Sequence, residues 1–215
     1  MKPLSLVVLI SGNGSNLQAV IDHINNGHLN AQISAVISNR PNAFGLQRAR
    51  DNGIQAISLD HREFDTREAF DQQLQQQIDQ FNPDLIVLAG YMRILSTAFI
   101  QHYWPNMINI HPSLLPKYQG LNTHQRALDN QDSAHGVSIH IVTPELDSGP
   151  VILQGQFAIE PDDNADSLQQ KGHALEHQMY PQIIQWIAEQ RLQLTDGAPQ
   201  FDGKPLTQPL QFAHV

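Results

Sequence analysis

The 215-residue chain carries 40% hydrophobic and 15% charged side chains, a composition that can bury a sizeable core unaided and excludes disorder as the default. Its net charge of −9, with no cluster of lysine or arginine, excludes the basic stripe on which nucleic-acid binding depends, yet leaves room for one small anion held by a few arginines and backbone N–H groups. The lack of cysteine excludes disulfides, thiolate-bound zinc and a thiol nucleophile, and leads us to expect a reducing, cytoplasmic setting.

At the amino terminus Lys2 precedes an apolar run, Leu4 to Ile10. No small-residue cleavage site follows, so Ser5 to Ile10 reads as a buried first strand and not as a signal peptide. Asn16 to Gly27 then has helical spacing, with Leu17, Val20, Ile21 and Ile24 on one face and Gly27 as the stop. A second β-branched run, Ile33 to Asn39, precedes a helix from Arg67 to Phe81, in which Phe70, Leu74 and Ile78 recur every four residues. The glutamines between Gln72 and Gln77 are the wet face of that helix. Further apolar runs span Asp84 to Gly90 and Met107 to Ile110. Continuous runs of this kind suit strands covered on both faces, and the βαβαβ alternation implies a parallel sheet with right-handed crossovers. Ligands of such sheets sit outside the carboxyl ends of the strands, so the loops after Ile10, Ser38, Ala89 and Ile110 are the informative ones.

Beyond Ile110 the pattern changes. His135 to Thr143 and Pro150 to Ile159 flank a turn containing Pro144, Asp147 and Gly149, which reads as an antiparallel pair. A long helix from about Asp166 to Gln190 covers this second half, and a Gly/Pro-rich tail follows from Thr195. The expected fold is α/β, a Rossmann-like, mostly parallel sheet continued by an antiparallel hairpin. It forms one domain over residues 1–195, with 196–215 as a peripheral extension. There is no linker or repeat, and no run of about 18 apolar residues that would span a membrane.

Four segments carry candidate chemistry. SGNGSN, Ser11 to Asn16, lies between the first strand and the first helix. Its glycines permit a tight turn, and the free N–H groups of Gly14, Ser15 and Asn16 make an anion seat, or else the segment is simply a capped turn. No lysine follows Gly14, as a P-loop requires, and Leu17 stands where a dinucleotide fingerprint has its third glycine. Arg40, at the end of the second strand, keeps an NADP reading open. AGYMRIL, Ala89 to Leu95, follows a central strand, so Met92, Ile94 and Leu95 wall either a slot for a flat heteroaromatic ring or part of the core. Arg93 beside them is a carboxylate partner or a solvated side chain.

In NIHPSLLPKYQG, Asn109 and His111 are two apart and face the same way on a strand, while Pro112 and Pro116 stiffen the loop that follows. Asp147, in the hairpin turn, either caps its own backbone or supplies a carboxylate that orients His111 and stabilises its charged form. The chain's 11 histidines, notably His111, His124, His135 and His140, show no metal-ligand spacing, so no metal is expected; His135 and His140 read as strand residues beside the site. No G-x-S-x-G elbow supports a serine hydrolase.

With SGNGSN, AGYMRIL, NIHPSLLPKYQG and TPELDSGPVILQ in this order and at these distances, most of residues 4–190 resembles the phosphoribosylglycinamide formyltransferase family. The resemblance implies transfer of a formyl group from 10-formyltetrahydrofolate, as co-substrate, to the amine of glycinamide ribonucleotide in purine synthesis. It implies one mixed sheet with helices on both faces, a nucleotide-binding half over 1–105 and a folate-binding, catalytic half over 106–195. By resemblance Gly14, Ser15 and Asn16 hold the ribonucleotide phosphate and Glu176 its glycinamide or ribose end, while His173 stands where the family usually has Gln. Arg67, Met92, Arg93, Ile94, Leu95, Asn109, Thr143, Pro144, Glu145, Leu146 and Asp147 contact the folate. His111 is the proton donor, with Asn109 and Asp147 completing the catalytic set. Small-molecule substrates, no nucleic acid, no membrane, and a monomer or weak homodimer follow. Methionyl-tRNA formyltransferases share the HPSLLP region but grip tRNA with a basic carboxyl-terminal domain, and formyltetrahydrofolate hydrolases carry an extra amino-terminal regulatory domain. An NADP oxidoreductase and a non-catalytic sugar-phosphate sensor are the readings outside folate chemistry.

Overall fold

The computed structural model describes residues 2–212. The strands are β1 (Leu4–Ile10), β2 (Ala31–Ser38), β3 (Ala56–Ser58), β4 (Leu85–Leu88), β5 (Met107–His111), β6 (Ala134–Ile141), β7 (Val151–Ala158), β8 (Leu192–Gln193), β9 (Gln200–Phe201), β10 (Lys204–Pro205) and β11 (Leu210–Gln211). The helices are α1 (Ser15–Asn25), α2 (Phe44–Asp51), α3 (Arg67–Asp79), α4 (Thr97–Tyr103), α5 (Thr123–Asp129) and α6 (Ala165–Ala188).

Eight strands form one sheet in the order β3-β2-β1-β4-β5-β6-β7-β11. Pairing is parallel from β3 to β5. It turns antiparallel at β5–β6 and β6–β7. Side chains alternate across the pleat, so Leu6, Val8 and Ile10 of β1 enter one core with Leu17 of α1 and Leu175 of α6. Val7 and Leu9 enter the opposite core with Phe70 and Leu74 of α3 and Phe99 of α4. Helices therefore cover both faces, and the continuous apolar runs are explained by two-sided burial.

Chain order reverses between β1 and β4, which is the switch point where open α/β sheets leave a crevice beyond their carboxyl ends. Two elements in the first half, α2 and the short β3, carry no periodic pattern strong enough to read from sequence. Among the residues of α2 only Gly45, Leu46 and Ala49 are buried. The tail after residue 195 supplies β9 and β10, which build a small sheet on β8, and β11, which pairs with β7 at the edge of the main sheet. Among the described residues no helix is long and apolar enough to cross a membrane.

Tyr180 of α6 ties the core beneath α1 and α6 to the site. Its buried hydroxyl donates to the carbonyl of Leu88 at 2.7 Å and lies 3.2 Å from that of Ile108, joining α6 to the carboxyl end of β4 and to β5. Replacing Tyr180 by Phe removes this donor while keeping the ring. We expect a loss of about 1–2 kcal/mol in folding free energy, read as a lower urea midpoint at unchanged slope; an unchanged midpoint would show that the hydroxyl does not hold α6.

Candidate active site

The loops after β1 and β4 meet at the switch point. Ser11 donates N–H to Gly90 O at 3.2 Å, and its hydroxyl accepts the Met92 N–H at 2.8 Å. Gly14 then adopts φ of 75°, a left-handed conformation, as the N-cap of α1 and offers no side-chain cap. A Cβ at Gly14 would fall 2.8 Å from Gly45 Cα, so glycine is required by both dihedral angle and space. Gln18 is the first residue of α1 whose N–H is bonded within the helix, to Gly14 O. The N–H groups of Ser15, Asn16 and Leu17 are thus left for an anion at the positive end of the helix dipole. Arg48 braces this loop from α2, donating to Asn13 O at 2.9 Å, to Asn13 Oδ1 and to Gln18 Oε1.

Asn16 turns inward from the loop and donates to Glu176 Oε2 at 2.7 Å, joining α1 to α6. Asn16 Oδ1 is buried without a partner in the protein. The Gly14, Ser15, Asn16 and Glu176 positions therefore form one cluster. His173 is half-buried on α6 and stacks on His177, the ring centroids 6.0 Å apart.

The second cluster forms where β5 runs beside β6. Asn109 and His111 lie on the same face of β5, with Ile108 and Ile110 packed on the other. Register sets Asn109 opposite His140 and His111 opposite Ser138. The β6–β7 connection brings Asp147 over this strand end, so that Asp147 Oδ2 lies 3.4 Å from His111 Nδ1. Its Oδ1 lies 3.7 Å from His140 Nε2. The Gly120 N–H donates to Asp147 Oδ2 at 2.9 Å and fixes the carboxylate.

His140 settles the orientation of Asn109. One ring nitrogen, Nδ1, donates to the Ile141 carbonyl at 3.0 Å, so the other, Nε2, accepts from Asn109 Nδ2 at 3.1 Å. Burial pushes the His140 imidazole below its ordinary value and keeps it neutral in this role. One N–H of the Asn109 amide is thereby used and the second is free for a substrate oxygen.

A cavity of about 80 Å³ opens beside Asn109 and Asp147. Its apolar walls come from Leu88, Tyr91, Leu95, Ile100, Val142 and Pro144, and Arg93, Ile94, Thr143 and Leu146 complete it. Ile94 and Leu146 form an exposed apolar rim, and Met92, 61% exposed, stands outside the lining. Arg67 and Glu145 are exposed and also stand outside it. Of the residues not named from the sequence, Leu88, Tyr91, Ile100 and Val142 line the slot; Tyr91 lies inside AGYMRIL, and the others sit at or next to strand and helix positions that read as core. Burial pushes the Tyr91 hydroxyl well above the ordinary phenol range.

An anion seat at the switch point, an amide and an imidazole at the neighbouring strand end, and an apolar slot between the two loops define an α/β enzyme suited to addition at a carbonyl carbon. The chain belongs to the formyl transferase family, which matches residues 4–184. It is similar to the phosphoribosylglycinamide formyltransferase of Escherichia coli, with 50% identity covering 94% of this chain and 96% of that protein. The Haemophilus influenzae phosphoribosylglycinamide formyltransferase shares 43% identity over 94% of this chain and 95% of its own. The solved phosphoribosylglycinamide formyltransferase of Coxiella burnetii superposes with a TM-score of 0.94 at 51% identity, covering 98% of this chain and 100% of that one.

The remaining histidines are not gathered around a metal: among the described residues no group of three or more His, Asp or Glu is placed to hold one. His135 accepts from His124 Nδ1 through Nε2 at 3.0 Å and bonds the Pro112 backbone, so it is a neutral cross-brace beneath the His111 loop. Burial, and then the nearby His124, push its imidazole down from 6.5 to about 4. Between these values the unfolded chain binds a proton that the folded one refuses, so the stability His135 contributes is whole above pH 6.5 and is lost as the pH falls through about 4. We expect the urea midpoint to drop across this window and His135→Gln to flatten the drop; an equal slope in both proteins would show that His135 is not held neutral.

Proposed function

We propose that the chain transfers the formyl group of 10-formyltetrahydrofolate to the amine of glycinamide ribonucleotide, giving formylglycinamide ribonucleotide and tetrahydrofolate in purine biosynthesis. The observation that carries this reading is the convergence of Asn109, His111 and Asp147 beside the slot walled by Leu88, Tyr91 and Leu95. The activity in the names of the most similar relatives supports it.

The ribonucleotide phosphate sits on the N–H groups at Gly14, Ser15 and Asn16, where backbone donors suffice despite the chain's net charge of −9. Glu176, held by Asn16, takes the glycinamide or ribose end, and His173 stands beside it on α6. The folate ring enters the slot against Leu95 and Ile94, with Arg93, Thr143 and Pro144 around it; Met92, Glu145, Leu146 and Arg67 serve the outer part of the molecule. The amine of the ribonucleotide then forms a bond to the formyl carbon, and the carbonyl oxygen becomes an oxyanion. The free N–H of Asn109 donates to it. Asp147 balances the charge on His111, whose Nδ1–H, 3.4 Å from that carboxylate, is the proton passed to the folate nitrogen as its bond to carbon breaks, and the proton shed by the attacking amine restores it. Residues 1–105 act as the nucleotide half and 106–195 as the folate half of one domain, and the tail joins the edge of its sheet through β11. The protein works in the cytoplasm as a monomer or weak homodimer.

His111→Ala is expected to leave thermal unfolding unchanged and remove most of the transfer, and Asn109→Ala to lower kcat about a hundred- to a thousand-fold. Folate absorbance with glycinamide ribonucleotide as acceptor reads both, and near-normal turnover by His111→Ala would sink the assignment. Activity only with methionyl-tRNA would replace the acceptor.

A further inference from the structure

Neither nitrogen of the His111 ring is free. Nδ1 faces Asp147, and Nε2 lies 2.9 Å from the backbone carbonyl of Tyr118. A carbonyl carries no proton, so Nε2 donates to it, and a carboxylate faces Nδ1, so the two contacts together fix the rotation of the ring. His111 is accordingly buried and does not line the slot that Asn109 and Asp147 line.

The carbonyl that does this belongs to a strained residue. Tyr118 has φ of 58°, a left-handed conformation that L side chains rarely adopt and that persists only where the surroundings overdetermine it. The surroundings are Ser113, whose hydroxyl donates to Lys117 O at 2.7 Å and lies 3.4 Å from Tyr118 O, and the tyrosine's own side chain. Its hydroxyl donates to Asp132 Oδ2 at 2.7 Å and accepts from Asn130 Nδ2 at 3.0 Å. Its ring lies between two cations, Arg126 at 5.1 Å and Lys117 at 5.8 Å from the centroid. Arg126 also donates to Gln119 O, the next carbonyl along. Two residues after Tyr118, the Gly120 N–H holds Asp147.

We propose that Tyr118 is a positioning residue for catalysis: its anchored side chain holds the backbone of residues 118–120 so that this segment orients the imidazole of His111 from one side and the carboxylate of Asp147 from the other. It touches no substrate and acts only through these two groups. The inference rests on the reading of His111 as the proton donor.

The test compares Tyr118→Phe, which keeps the ring and loses the hydroxyl, with Tyr118→Gly, which suits a positive φ and loses every anchor. Steady-state transfer from 10-formyltetrahydrofolate to glycinamide ribonucleotide is expected to show kcat lowered about tenfold in the first variant, the effect of one lost hydrogen bond. In the second the loss grows toward about a hundredfold, with both KM values within about twofold of wild type. Imidazole ¹⁵N spectra, with the His111 signals assigned by their disappearance in His111→Gln, are expected to show the Nε2–H signal displaced in Tyr118→Gly from its wild-type position as the bond to the carbonyl of residue 118 loosens. Wild-type kcat in both variants overturns the proposal, and so does a loss of kcat with unchanged His111 signals. Normal turnover by His111→Gln would instead defeat the underlying reading of His111, while the spectra still report whether Tyr118 holds its Nε2–H.

Discussion

Asn109 faces His140 where the parallel part of the sheet ends and β6 begins to run the other way. That reversal is what the catalytic cluster depends on. Because β6 runs against β5 it ends beside the amino end of that strand, with Ile141 opposite Ile108 and the Val142 N–H on Met107 O, and the β6–β7 connection then folds back over the face that carries Asn109, His111 and His140. Asp147 arrives there with φ of 49°, in a turn where a Cβ on the neighbouring Gly149 would collide with Ile141 O. The contact between carboxylate and imidazole is therefore set by strand direction and turn geometry together.

Electrostatics at the site is organised by burial more than by net charge. His140 is buried and held neutral, so it can accept from Asn109 and free the other amide proton for substrate. His135, also neutral, braces the backbone beneath the same loop. A second charged imidazole at either place would oppose His111 at close range. On the nucleotide side the chain uses oriented backbone N–H groups, which carry no titratable charge and leave the acidic surface unaltered.

Much of this was legible in the sequence because it follows from local pattern. Leu17, Val20 and Ile21 define a helix face, and the two-residue spacing of Asn109 and His111 gives a common side of a strand. The meeting of Asp147 with His111 was not legible from spacing, since 36 residues and a reversal of strand direction separate them; only family resemblance brought Asp147 in. The α2–β3 segment stayed hidden because Leu46 and Ala49 are too few apolar residues to mark a period, and β3 has three residues. Tyr118 was hidden for a different reason. Its contribution lies in a backbone carbonyl and a left-handed φ, and neither is written in the residue type: a tyrosine between lysine and glutamine reads as a surface loop.

Strain around the site follows the same division of labour. Tyr118, Gly120 and Asn122 on one loop and Asp147 on the other all have positive φ. Glycine accepts that geometry without penalty, but three of the four positions are occupied by residues that do not. Two of those three have a side chain with work to do: the Tyr118 ring and hydroxyl anchor the loop and Asp147 carries the carboxylate, whereas Asn122, at the N-cap of α5, makes no side-chain cap. Glycine at Tyr118 or Asp147 would relax the backbone and remove the anchor or the charge. The selection of strained, functional side chains over relaxed glycines is what makes the two loops one rigid mount, and it places the cost of that rigidity in the segments that hold His111 and Asp147 rather than in the sheet beneath them.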